Sequence, residues 1–307
     1  MLYVSTRNYN DSYTAHRAFR EKNTPDGGFF VPMRLPAFSK EELTVMKNQS
    51  FCQTVAQVLN YFSGLQIRAW DVECALGRCP VKLQPVHQKI TIAELWRNPE
   101  NDFRYLLRSL YALLLGDDSA EASPEGWSRI AIEIAVLFGV YSIVDLSDEQ
   151  SVDVAVSEDD ASAMTAVLFA KKIGLNVNLM ICACHDNSVL WNLVNSGELS
   201  ARCEQPQYFE CLLHGLFGQD AVLRHIEACE QNGSISVDEE QAETLKNSLY
   251  TAVISQERVD TIIAGMYGTN QYRIDGVSAQ AYGGLQDYRA QAGIIKDTLL
   301  LSKQRAK

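Results

Sequence analysis

The stretch that most restricts this chain runs from residue 152 to residue 184. "VDVAV" (152–156) is a short β-branched run, "SEDDASAMTAVLFAKKIGL" (157–175) a capped helical pattern, and "VNLMICAC" (177–184) a second apolar run. Strand, helix and strand at this spacing predict a right-handed βαβ crossover, and the crossover requires two parallel strands. A sheet built this way takes helices on both faces, so the chain is expected to be α/β.

The rest of the chain is read around that unit. "NTPDGGFFVPMRLP" opens with a turn, because Pro25 presets φ and Gly27 and Gly28 permit positive φ, and a short strand follows that Pro32 stops. Residues 39–63 form one helical pattern, with a capping box from Ser39 to Glu42 and Val55, Val58, Leu59 and Phe62 at helical spacing. "PVKLQPV" and "KITIAEL" read as two strands with a turn at His87. Asn98 is then a good N-cap and Pro99 suits a first helical position, so a helix is expected over 99–115, with Arg104 its sixth residue. "LGDDSAEASPEG" is an exposed acidic connector, and residues 127–144 are a buried helix in spite of Glu133. Helices dominate 206–256, "VDTIIAGMYG" holds a short strand, and "DTLLLSK" is the last one. Together these predict a single three-layer α/β domain over 1–307, with a mostly parallel sheet and helices on both faces. Residues 1–80 form a turn and helical layer, and 81–307 carry the sheet.

Composition excludes some roles. A net charge of −11 and a pI near 5.0 argue against a nucleic-acid binder, which needs clustered Lys and Arg. The longest apolar run, Ile130 to Val144, is too short and too interrupted to span a bilayer, so no membrane role is expected. The start is polar within six residues and has no signal-peptide core, and the eight cysteines are scattered in a chain able to build its own core. A reducing cytoplasm is the expected location.

Several local clusters carry residue types capable of chemistry. Cys182 and Cys184 share a strand face beside His185, and with Cys203, Cys211 or His214 they would supply four zinc ligands. The spacing lacks a paired CxxC, so core packing is the reading adopted and no metal is expected; a thiol nucleophile at Cys184 has no motif behind it. Lys171 and Lys172 read as a solvated helix end, "VDEEQAE" (237–243) as a solvated helix start, and "PDGG" as a turn.

The same segments, in the same order, resemble those of the threonine synthase family. They are "STRN" with "TPDGGFFVP", "ELWRNPENDFRYLLRSL", "VAVSEDDASAMTAVLFAKKIGL", "ICACHDNSVLWNLVNSGEL" and "YRIDGVSAQAYGGL". The resemblance implies a pyridoxal-phosphate (PLP) fold of type II, similar to tryptophan synthase β, and carbon–oxygen lyase chemistry on a phosphorylated amino acid.

The departures from that family point elsewhere. The lysine that would carry the cofactor falls on Arg104, next to Phe103. An imine needs a neutral amine, and a guanidinium with a pKa above about 12 does not provide one. Arg104 then reads as a solvated or ion-paired helix residue, or as a cation retained to bind an anion. The family's substrate-gripping segment and small mobile domain are replaced by residues 115–126. The glycine-rich phosphate loop is replaced by Ser157, Glu158, Asp159, Asp160 and Ala161, which read as helix caps or as a cation or amine site. Ser302 matches approximately the residue that faces the pyridine nitrogen. Lys82 and Lys89 flank strands near the site and are the substitute amines considered.

The resemblance thus implies no catalytic residue and no bound cofactor, PLP being implied by the family alone. The expectation is a pseudoenzyme that binds a small amino-acid-like ligand, a second copy of itself or a homologous partner. The competing readings are a divergent PLP-dependent lyase and a subunit that supports an intact homologue.

Overall fold

The computed structural model describes residues 1–77, 80–116, 122–145, 151–200, 208–231 and 233–306. From the amino terminus come β1 (Leu2–Ser5), β2 (Tyr13–Thr14), α1 (Ala15–Arg20), β3 (Phe30–Pro32), α2 (Lys40–Lys47), α3 (Phe51–Ser63) and α4 (Ala69–Leu76). The hairpin β4 (Lys82–Val86) and β5 (Ile90–Glu94) leads to α5 (Phe103–Leu115) and α6 (Trp127–Ile143). β6 (Val152–Ser157), a single 3-10 turn (Glu158–Asp160), α7 (Ala161–Lys172) and β7 (Val177–Cys184) make the crossover. Then follow α8 (Val189–Ser196), β8 (Glu198–Ser200), α9 (Phe209–Phe217), α10 (Gln219–Glu230), β9 (Ser234–Ser236) and α11 (Glu239–Ser248). β10 (Leu249–Val253), α12 (Gln256–Asn270), α13 (Gly276–Ala292) and β11 (Thr298–Ser302) complete the order.

The main sheet has the order β10-β7-β6-β11-β5-β4, parallel except for β4. β4 lies on the edge, where Pro85 costs no ladder bond to a further strand. Strand side chains alternate between two cores, as a period of two requires. Val154, Val156, Met180 and Cys182 join the large core with α3, α6 and α7, whereas Ala155, Ile181 and Ala183 face α12 and α13. Gly284 lets α13 approach closely, since a Cβ there would stand 3.2 Å from that of Ala183. A small antiparallel sheet, β2-β1-β3, packs on the large core through Tyr3, whose hydroxyl donates to Phe62 O (2.8 Å) and accepts from Trp127 Nε1 (3.2 Å).

The parallel crossover, both strands of the hairpin and the last strand stand where the sequence places them. Other expectations need correcting. The pattern over 39–63 is two helices, because Ser50 caps a second one with its own capping box to Gln53. The helix expected from residue 99 starts at Phe103, with Asp102 as its N-cap, so Arg104 is its second residue. "VDTIIAGMYG" lies inside α12, and the strand is the preceding β10. Lys171, in the last turn of α7, is half-buried rather than simply solvated: its ammonium donates to Asn178 O (2.6 Å) and Asn247 O (2.8 Å). Part of the acidic connector, residues 117–121, falls outside the described residues.

Candidate functional site

Every parallel strand of the main sheet ends on one edge, and in an open α/β sheet that edge is where ligands bind. β5 leads from it into α5, β6 into α7 and β7 into α8, while β11 returns between β6 and β5. A cleft of about 430 Å³ opens there, with Phe103, Arg104, Arg129, Asp159, Asp160, Asp275, Ser278 and Lys303 among its lining residues.

The turn before α5 is built by Asn98. Its Oδ1 accepts from the amides of Glu100 (3.2 Å) and Asp102 (3.3 Å), and its Nδ2 donates to Asp102 O (2.7 Å). Asn98 therefore organises the turn and leaves the helix cap to Asp102, whose Oδ1 accepts from the Arg104 amide at 2.9 Å. The Arg104 side chain is 78% exposed and donates from Nε to Asp102 Oδ2 at 2.7 Å. Phe103 turns inward and is buried.

The acidic loop after β6 closes on itself and on its neighbours. Ser157 Oγ accepts from the Asp159 amide (3.1 Å) and donates to Gln280 Oε1 (2.6 Å). Glu158 accepts from the His185 amide (3.1 Å) and from Ser188 Oγ (2.6 Å), tying the loop to the end of β7. Asp159 pairs with His185 Nε2 at 2.8 Å and raises the imidazole pKa above its ordinary value. Ala161 is the first residue of α7.

Asp160 reaches the opposite wall, where Lys303 Nζ donates to it at 2.7 Å. The same ammonium donates to Glu133 Oε2 at 2.6 Å and lies 4.8 Å from the centre of the Phe103 ring. Glu133 is buried in α6 and also accepts from Ser162 Oγ (2.7 Å) and from Arg129 Nε. Burial pushes the Glu133 carboxyl up, but Lys303 and Arg129 outweigh it and hold it below its usual value. Burial raises Asp160, against the pull of Lys303 and with the help of the Glu133 charge. Two cations and two carboxylates thus neutralise one another inside the cleft wall.

Ser302, at the end of β11, is buried beside this cluster. Its hydroxyl donates to Asp275 Oδ2 (2.9 Å) and accepts from Trp96 Nε1 (3.3 Å). Asp275 is the N-cap of α13 and also accepts from the Ser278 hydroxyl at 2.6 Å.

The cleft thus brings together Arg104, Asp159 and Asp160, with Ser302 one residue from Lys303. Neither Lys82 nor Lys89 lines it. Lys82 sits on the edge strand opposite Glu94, and Lys89 in the hairpin turn at the far end of the sheet. Cys182 and Cys184 are buried on the α7 side, 4.0 Å apart at sulfur, and Cys182 lies 3.2 Å from Met164 Sδ. Cys211 is buried in α9, His214 pairs with Tyr9, and Cys203 falls outside the described residues. Among the described residues no group of three or more His, Cys, Asp or Glu is placed to hold a metal ion. Sequence reasoning missed Lys303, Arg129 and the role of Glu133. The available signal was Glu133 itself, because a carboxylate inside an apolar helix needs a buried cation.

Residues 2–79 match the family model described as threonine synthase N terminus. No curated protein matches the sequence. Among solved structures, PLP-bound threonine synthase from Brucella melitensis is similar with a TM-score of 0.82 at 18% identity, covering 99% of this chain and 89% of that one. Threonine synthase from yeast gives 0.81 at 16% identity, over 99% and 87% of the two chains. The Escherichia coli enzyme gives 0.74 at 16%, over 99% and 88%.

The cofactor held by the Brucella protein is a poor fit to the residues present here. A phosphate dianion is held by converging amides and positive charge. The loop at the start of α7 instead presents Glu158, Asp159 and Asp160. An imine needs an uncharged amine, and Lys303, the one lysine among the described lining residues, is held between two carboxylates. The chain has the fold of the threonine synthases over nearly its whole length, and its residues 2–79 carry that family's N-terminal sequence pattern.

Proposed function

We propose that this chain is a threonine-synthase-like protein whose cleft has lost pyridoxal-phosphate catalysis and keeps a binding role. The observation that carries the reading is the position of Lys303, fixed by Glu133 and Asp160 against the face of Phe103. Its donors are committed to two carboxylates, so the nitrogen is not presented as a free amine for attack on an aldehyde. Arg104 supports the same reading from the cleft wall, since it turns outward onto Asp102. The fold alone does not decide activity, because chemistry resides in the site. The partners of such a protein would be a small amino-acid-like molecule, a second copy or a homologous subunit, in the cytoplasm. The test is incubation of the full chain with PLP, absorbance for an imine band, and borohydride trapping with mass measurement. An unmodified chain supports the reading, and a stoichiometric adduct on one lysine overturns it.

One observation favours a second reading. Lys303 places an amine in the cleft, one residue beyond Ser302. In a divergent lyase acting on a phosphorylated amino acid, Lys303 would be the residue to carry the cofactor. Peptide mapping of any trapped adduct separates the readings, because only this one puts the label on Lys303.

A further inference from the structure

A second cavity, of about 510 Å³, lies at the other end of α7 and shares no lining residue with the cleft. The size is that of a small-molecule site. α7 runs between the two, with Asp160 just before its first turn and Lys172 in its last, roughly 18 Å apart at 1.5 Å per residue.

Two groups in this cavity lack partners. His214 Nδ1 is buried without a hydrogen bond, although Nε2 on the same ring pairs with the Tyr9 hydroxyl. A buried polar atom left alone is costly, and native structures seldom keep one without a reason. Lys172 lines the same cavity and has no hydrogen-bond or ion-pair partner among the described residues. Burial, followed by the Lys172 charge, pushes the His214 imidazole down to about 4, so the ring is neutral and Nδ1 can carry a proton to donate.

The same cavity also carries the opposite sign, because Asp238 and Glu240, at the start of α11, line it. Val31, Leu35 and Phe169 add apolar lining.

We propose that this cavity is a second ligand site that takes a free α-amino acid. Its carboxylate meets Lys172 and His214, its ammonium meets Glu240, and its side chain lies on the apolar lining. A site that offers both charges rejects ligands carrying only one of them. The proposal goes beyond the reading of the cleft and stands whether or not the cleft binds PLP.

The test is calorimetric titration of the full chain with the free amino acids, an N-acetyl amino acid, a simple alkylamine and inorganic phosphate. At least one free amino acid binds with 1:1 stoichiometry, and the blocked analogue, the amine and phosphate do not. Lys172→Met and Glu240→Gln change exposed residues and each weaken binding about tenfold or more, the scale of a lost charge-assisted bond. Arg104→Ala, in the cleft, leaves it unchanged. Absence of binding at millimolar amino acid, binding that survives both substitutions, or phosphate binding alone would overturn the proposal.

Discussion

Lys303 Nζ stands 2.6 Å from Glu133 Oε2, joining the residue after the last strand to the middle of the buried helix α6. The pair ties the cleft floor to the centre of the large core. Lys303→Met leaves a fully buried carboxylate with Arg129 as its remaining cation, and should cost about 3 kcal/mol. Urea unfolding measures it. Lys303→Met with Glu133→Gln should recover much of the loss, because the uncompensated charge goes with the partner.

Arg104 behaves in the opposite way. Its pair with Asp102 is mostly solvated, so Arg104→Ala should change stability by less than about 0.5 kcal/mol. Arg104→Lys is the more informative change. It restores an amine at the position implied for the cofactor lysine, yet no stoichiometric PLP imine should form. Asp159 and Asp160 still line the cleft with negative charge, and Lys303 still stands between Glu133 and Asp160. Absorbance titration of the variant checks this directly.

His214 sets a pH dependence whose sign follows from its burial. The folded imidazole is pushed down from the ordinary 6.5 to about 4, first by burial and then by Lys172. The unfolded chain therefore binds the proton more readily. The contribution is fully present above pH 6.5 and is lost as pH falls toward 4, by at most about 3 kcal/mol. The difference in unfolding free energy between wild type and His214→Gln should vary across that window and level off above it. A difference that is flat from pH 7 to pH 4 would show that the ring titrates normally in the fold.

Gly126 enters α6 at φ +57°, and a Cβ there would lie 2.2 Å from the carbonyl oxygen of Lys22. Both the backbone angle and the close approach oppose any side chain. Gly126→Ala should lower stability by about 2 kcal/mol or more, measured by thermal or urea unfolding.

Much of the fold was legible because the parallel crossover has a local signature. The period of "VDVAV" and "VNLMICAC" and the caps between them identify two strands and their helix without tertiary information. The second helix at Ser50 was hidden because apolar spacing runs on across the break, and only the capping residues mark it. The start of α5 was misplaced for a related reason: Asn98 is a capping residue type, but its side chain is spent on the turn. β10 escaped because "LYTAV" follows a helix without a turn residue between them. In the cleft, Arg104 and the acidic loop could be read from order along the chain. The partner of Glu133 could not, since 170 residues separate it from Lys303 and only the sheet order brings them together.

The loss of cofactor chemistry is tested most directly by borohydride trapping of the wild-type chain with PLP, followed by intact-mass and peptide measurement. The expected result is a chain of unchanged mass, with any labelling substoichiometric and spread over exposed lysines. A single adduct of one cofactor per chain, on Lys303 or on any other lysine, would contradict it.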